Sequence, residues 1–217
     1  MDKGLFITFE GPEGCGKTTQ ISILAEYLKA HGIQYHISRE PGGTDISNQI
    51  REILLNPKNK AMVSRTELLL YAADRAQHTE EVIKPQLQQG VVVISDRYFD
   101  STTAYQGYGR GLDLDFVKQL NEIATGSLKP DLTILIDLEP EIGLRRALKT
   151  SKKNGYSEKG DRLEQEDLEF HKKVLEGYRE IAKADTSRFL VINGEDTPEN
   201  IKKIIIQRLK ELITIND

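Results

Sequence analysis

Apolar residues gather in five short runs, each ending on polar or glycine-rich positions. Residues 5–9, 34–38, 91–95, 132–136 and 188–192 are rich in β-branched and aromatic side chains, the composition of strands. The runs at 91–95 and 132–136 have almost no polar interruption, as in parallel strands covered on both faces. Between the runs the apolar period becomes helical. Residues 19–28 predict one helix, stopped by Gly32. Residues 44–55 place Ile46, Ile50, Ile53 and Leu54 on one face, with Thr44 or Asp45 as cap. Residues 65–89 predict a longer helix packing through Leu68, Leu69, Ala72, Ala76 and Val82, and Pro85 inside it predicts a kink or break. Further helices are expected at 113–124, at 141–148 and at 163–183, and Thr197 and Pro198 open a last one running to about 213. Strands alternating with helices predict the α/β class, a five-stranded parallel sheet with helices on both faces.

A chain of 217 residues suits a single domain, 1–217. Its 38% hydrophobic and 29% charged residues are ordinary for a soluble globular protein. No run approaches a membrane span, and no signal-peptide pattern precedes the first strand. The single cysteine, Cys15, excludes an internal disulfide framework and fits a reducing cytoplasm. A net charge of −4 argues against broad electrostatic binding to nucleic acid, so an anion site must be built from local Lys and Arg. His31, His36, His78 and His171 are scattered without metal-ligand spacing and read as surface or capping residues.

Chemistry concentrates at Gly11-Pro12-Glu13-Gly14-Cys15-Gly16-Lys17-Thr18, a G-x-x-x-x-G-K-T loop between a predicted strand and a predicted helix. In that context backbone N–H groups and the helix N-terminus cradle phosphates, Lys17 reaches the β- and γ-phosphates, and Thr18 can place its hydroxyl on Mg²⁺. Asp96-Arg97-Tyr98 closes the run at 91–95. Asp96 there can hold Mg²⁺ directly or through water, and Arg97 suits a second phosphate. Arg39-Glu40-Pro41-Gly42-Gly43 closes the run at 34–38, which brings Arg39 to the edge where open parallel sheets bind ligands. Tyr71 and Arg75, four residues apart, offer an aromatic plate beside a guanidinium, and Thr102 with Gln106 offers an uncharged hydrogen-bonding face. The basic stretch 149–162 lacks apolar periodicity, so the segment of about 145–162 is expected to be a mobile lid that closes over phosphates.

The loop with its lid makes one phosphate site, and Arg39 with Arg97 makes another. Two such sites beside base readers imply two nucleotides face to face, with in-line transfer of a γ-phosphoryl group to a monophosphate. Two other readings share the loop. A deoxynucleoside kinase would need a carboxylate base for a 5′-OH. An ATPase would drive a protein or nucleic-acid partner.

The ordered set Phe9 to Thr19, Arg39-Glu40-Pro41-Gly42-Gly43, Asp96-Arg97-Tyr98 with Ala104-Tyr105-Gln106-Gly107, and Asp161-Arg162-Leu163-Glu164 resembles bacterial thymidylate kinases over nearly the whole chain. The resemblance implies the P-loop nucleoside monophosphate kinase fold and phosphorylation of dTMP to dTDP by ATP and Mg²⁺. It also implies a cytoplasmic homodimer with no nucleic-acid or membrane partner. It implies that Gly11, Pro12, Glu13, Gly14, Cys15, Gly16, Lys17, Thr18 and Thr19 bind ATP, with Arg146 near adenine. Glu13 would meet the deoxyribose 3′-OH, and Arg39 and Arg97 the dTMP phosphate. Arg75, Thr102 and Gln106 would read thymine, and Tyr105 would pack under the sugar. Thr18 and Asp96 would serve the metal, and Glu164 the metal or the lid. Tyr71 stands where the family usually stacks a phenylalanine, which adds a hydroxyl. Some members carry a catalytic arginine at the position of Gly14. Here Lys17 and lid cations must supply that charge, the candidates being Arg145, Lys149, Lys152, Lys153 and Arg162, with Lys153 and Arg162 foremost.

Overall fold

The structure is a computed structural model describing residues 4–153 and 160–213, with the backbone alone at 150–153. Strands β1 (Phe6–Glu10), β2 (Tyr35–Arg39), β3 (Val92–Asp96), β4 (Leu132–Asp137) and β5 (Phe189–Asn193) form one sheet in the order β2-β3-β1-β4-β5. Every neighbouring pair is parallel. Each strand ends one residue later than its apolar run, on Glu10, Arg39, Asp96, Asp137 or Asn193. The ladder does this: Phe9 and Arg39 both register with Asp96, and Arg97 N–H donates to the Phe9 carbonyl at 3.0 Å. The polar residue that closes each run is therefore fixed at the sheet's C-terminal edge.

Alternation along β1 divides the core. Ile7 and Phe9 enter a cluster with Leu24 and Leu28 of α1 (Lys17–Ala30) and Ile201 and Ile205 of α9 (Pro198–Leu212). Each of these fully buried side chains contributes about 1.5–3 kcal/mol relative to exposure. Phe6 enters a separate cluster with Val93 and Tyr98. Thr8 and Thr133 share a hydroxyl hydrogen bond of 2.9 Å. Alongside lies a further cluster in which Tyr71 of α3 (Ser64–His78) and Tyr105 pack with Val174 and Tyr178 of α8 (Leu168–Ala184). The remaining helices are α2 (Asp45–Leu55), α4 (Lys84–Gln88), α5 (Phe99–Thr102), α6 (Leu114–Thr125) and α7 (Pro140–Lys153). No helix of the described residues is long and apolar enough to cross a membrane.

The break expected at Pro85 within 65–89 is a π-helical turn, Thr79–Ile83, just before the proline, which has no N–H to give to an α-helical ladder. Several other expectations change. A second π-helical segment, Thr103–Gly109, follows α5 and carries Tyr105 and Gln106. The helix expected from 163 begins at Leu168, because Asp167 accepts the Phe170 N–H as its cap. Upstream, Asp161 accepts the N–H groups of Leu163 and Glu164 in a tight turn instead. α7 runs past 148 to Lys153, so the start of the expected lid is helical; residues 154–159 and the side chains of Lys152 and Lys153 lie outside the described residues. Ile46, Ile53 and Leu69 are exposed rather than packed. His78 and His171 are buried, not at the surface.

Candidate active site

A cleft of about 700 Å³ opens along the C-terminal edge of the sheet. The loop after β1 forms its floor. Gly16 caps α1 from a left-handed conformation without a side-chain cap, which leaves the first-turn N–H groups facing a would-be anion. Lys17 Nζ rests 3.0 Å from both the Gly11 and Pro12 carbonyl oxygens. Gly14 has φ +67, and a Cβ there would lie 2.0 Å from the Gly143 carbonyl oxygen of α7. The close approach of α7 thus excludes any side chain at this point of the loop, the arginine of some relatives included.

Glu13 and Arg97 meet across the cleft. Arg97 Nη2 is 3.0 Å from Glu13 Oε1, which also accepts the Tyr105 hydroxyl at 2.5 Å. Burial pushes the Glu13 pKa up, but His171, Arg97, Lys17 and Tyr105 outweigh it and hold the carboxyl below the usual range. Its Oε2 has no hydrogen-bond partner among the described residues, and the buried His171 Nδ1 stands 3.6 Å away. The loop's acidic residue is thus ionised, with one oxygen held by Arg97 and Tyr105 and the other buried without a hydrogen bond among the described residues.

The far wall is built from α3 and the segment after β3. Arg75 is buried, donating through Nε to Glu40 Oε2 at 2.8 Å and through Nη1 to Thr102 Oγ1 at 2.9 Å. Glu40 also accepts from His78 Nδ1 at 2.9 Å, so the residue beside Arg39 is an internal hub and not half of a surface pair. Gln106 donates its Nε2 to the buried Glu67 at 2.8 Å. A carboxylate only accepts, so the Gln106 amide oxygen is left as acceptor. Burial, with Glu67 and Asp161 nearby, pushes the Tyr71 hydroxyl up and keeps it neutral.

Thus Arg39, Tyr71, Arg75, Asp96, Arg97, Thr102, Tyr105, Gln106, Arg146 and Glu164 all line one cleft with the loop residues Glu13 to Thr19. Arg162 does not join them. Its guanidinium is buried against the Leu54 carbonyl at 2.7 Å and Glu67 at 2.6 Å, so its expected place among the cleft cations is corrected. The cause is Glu67, whose buried charge demands partners and takes Arg110 as well. Arg145 and Lys149 are exposed on α7. Among the described residues no cluster of three or more His, Cys, Asp or Glu could hold a metal ion. One hydroxyl, Thr18, and one carboxylate, Asp96, fit Mg²⁺ that arrives on triphosphate oxygens and water rather than in a protein cage.

Sequence reasoning missed Arg51, which lines the cleft and donates to the Pro41 carbonyl oxygen at 2.7 Å. It sits on the face of α2 shared with Ser47, a polar stripe that was the available signal. It also missed Asp74, which accepts the Gly42 N–H at 2.7 Å and braces the loop after β2.

Sheet, crossovers and cleft define a phosphate-loop phosphotransferase of the nucleoside monophosphate kinase type. Comparison with known proteins narrows this. A family model described as thymidylate kinase matches residues 9–205. A thymidylate kinase of Geotalea daltonii is 51% identical over 212 residues, covering 95% of this chain and 98% of its own. One from Carboxydothermus hydrogenoformans is 54% identical over 199 residues, 92% and 93% of the two chains. The crystal structure of thymidylate kinase from Ehrlichia chaffeensis superposes with a TM-score of 0.76 at 35% identity, covering 96% of this chain and 99% of that one. The chain belongs to the thymidylate kinase family.

Burial and the nearby Glu40 charge push the Asp74 carboxyl up to about 8 from 3.8. The folded state therefore holds a proton that the unfolded state releases above pH 3.8, and stability from neutral Asp74 is lost as pH rises toward 8. Asp74→Asn keeps an acceptor for Gly42 and is expected to flatten the fall of unfolding free energy between pH 5 and 8 by on the order of 1 kcal/mol per pH unit. Urea unfolding at the two pH values reads this; an unchanged slope refutes it.

Proposed function

We propose that the cleft transfers the γ-phosphoryl group of ATP to dTMP, giving dTDP and ADP on the route to dTTP. The observation that carries this is the Glu13–Arg97 contact, which joins the triphosphate loop to a cation on the acceptor side. Lys17 and the first-turn N–H groups of α1 hold the donor phosphates, and Arg146 lies toward the adenine. Arg39 and Arg97 hold the acceptor phosphate, which is itself the nucleophile, so no general base is required. Glu13, ionised, accepts from the 3′-OH, and Tyr105 packs beneath the sugar. Tyr71 stacks on thymine. Arg75 donates to its carbonyl edge, with Thr102 beside it. The Gln106 oxygen accepts from N3–H, a group cytosine lacks. Thr18 and Asp96 would hold Mg²⁺, with Glu164 supporting from the lid side; when bound, the ion neutralises charge along the β- and γ-phosphates. With Gly14 bare and Arg162 engaged elsewhere, the further cation is assigned to Arg145, Lys149, Lys152 or Lys153 on α7. Closure of the segment of about 145–162 would exclude water.

The resemblance and the single cysteine support a cytoplasmic setting. Self-association is supported by exposed apolar side chains on α2, α3 and α6, which pack side by side: Ile46, Ile53, Leu69, Phe116 and Ile123. Sedimentation equilibrium should give twice the chain mass, and Ile123→Glu should shift it toward the single-chain value; a wild-type monomer refutes the dimer.

A coupled assay should show phosphorylation of dTMP and none of thymidine; the reverse would sink the assignment. Lys17→Ala should lower kcat at least about 100-fold. Arg97→Ala should raise KM for dTMP at least about tenfold while KM for ATP stays within about twofold. An equal rise in both would take Arg97 off the acceptor side.

A further inference from the structure

Arg97 occupies a left-handed backbone conformation, with φ 74. A residue carrying a Cβ keeps such a conformation only where its surroundings impose it. The carboxylate of Glu10, the last residue of β1, lies against this turn and is fully buried. Its Oε1 accepts the N–H of Tyr98, the next residue along, at 2.8 Å. Its Oε2 accepts the hydroxyls of Ser101 at 2.6 Å and of Tyr178 at 3.0 Å. Each hydroxyl owns one proton. The two hydroxyls also lie 2.7 Å from each other, so their two protons serve Glu10 and that mutual bond, and their lone pairs are left for other donors. Arg97 Nη1 donates to both, at 3.2 Å to Ser101 and 2.9 Å to Tyr178. Its two N–H groups are shared with a third acceptor, the Gly11 carbonyl at 3.0 Å, in the chain that leaves Glu10.

We propose, resting on the reading of Arg97 as the acceptor-phosphate cation, that Glu10 is a positioning residue for it. One carboxylate oxygen fixes the backbone turn. The other orients two hydroxyls that hold the Nη1 edge of the guanidinium. Glu10 touches neither nucleotide and acts through Arg97. The Nη2 edge is thereby held at the cleft wall against Glu13 at 3.0 Å and the Tyr105 hydroxyl at 3.1 Å, where an incoming phosphate would compete for it. Burial and the Asp100 charge push the Glu10 carboxyl up to about 7, so above that pH the ionised group draws the Tyr98 N–H and the hydroxyl pair toward it, and the pair passes that polarity on to the arginine.

Glu10→Gln preserves the shape but replaces an acceptor with an amide donor. Wherever that amide points, it meets another N–H or turns a hydroxyl proton toward Arg97. The full chain would be assayed as wild type, Glu10→Gln, Arg97→Ala and the double variant, with circular dichroism and thermal melting to follow the fold. Glu10→Gln is expected to raise KM for dTMP about tenfold and leave KM for ATP within about twofold. In the Arg97→Ala background the same change is expected to add less than about twofold, because the group it acts through is gone. Equal rises in both KM values, or a full additive rise without Arg97, would overturn the proposal. Should Glu10→Gln fail to fold, Tyr178→Phe carries the test: it deletes one relaying hydroxyl and keeps the ring. It is expected to raise KM for dTMP several-fold without a matching change for ATP; an unchanged KM for dTMP would overturn the proposal. If Arg97→Ala itself leaves KM for dTMP unchanged, the acceptor reading of Arg97 fails, and the role of Glu10 fails with it.

Discussion

Arg97 Nη2 and Glu13 Oε1, 3.0 Å apart, tie the loop that follows β1 to the turn that follows β3. Neither partner is free to choose another orientation. Glu13 is also gripped by Tyr105, and Arg97 by Ser101, Tyr178 and the Gly11 carbonyl. The consequence is mechanical as well as electrostatic. A loop that would otherwise serve a triphosphate alone carries a carboxylate into the neighbouring compartment. Donor and acceptor halves are then spaced by one stretch of backbone, and phosphoryl transfer depends chiefly on such spacing.

Around this contact stand other buried charges. Glu40 takes Arg75 and His78, and Glu67 takes Arg110 and Arg162. Such pairs add little net stability over apolar packing, though removing one partner is costly. Their use here is orientation. Glu40 presents Arg75 toward Thr102, and Glu67 turns the amide of Gln106. In the proposed function, base recognition would thereby be decided one layer behind the cleft wall.

The sheet was legible because its strands are apolar runs of nearly fixed length separated by helical periods. The loop at 11–18 was legible because its glycines and lysine occur in one contiguous pattern. Cleft residues such as Arg39, Arg97 and Gln106 could be read from their place at strand ends or on a helix face. What escaped was long-range pairing. Nothing local to Glu67 or Arg162 shows that they meet, and the basic stretch around Arg162 looks solvated when read alone. His78 is buried because Glu40 and Ser38, at a strand end 38 and 40 residues away, hydrogen-bond its two ring nitrogens. The stripe that Arg51 shares with Ser47 was a signal only of a polar face, since a helix face turned to a wet cleft looks like one turned to solvent. The start of α8 was misplaced because Asp161 and Asp167 both signal a turn, and only folding decides which of them caps the helix.

Two nucleotides in register on one loop would react directly, without a phosphorylated protein intermediate. The stereochemistry at phosphorus distinguishes this from a two-step transfer. ATP made chiral at the γ-phosphorus with oxygen isotopes and sulfur would be used to phosphorylate dTMP, and the configuration of the product read by phosphorus NMR. A single in-line displacement predicts inversion; retention would mean two displacements through an enzyme-bound phosphoryl group and would contradict the account.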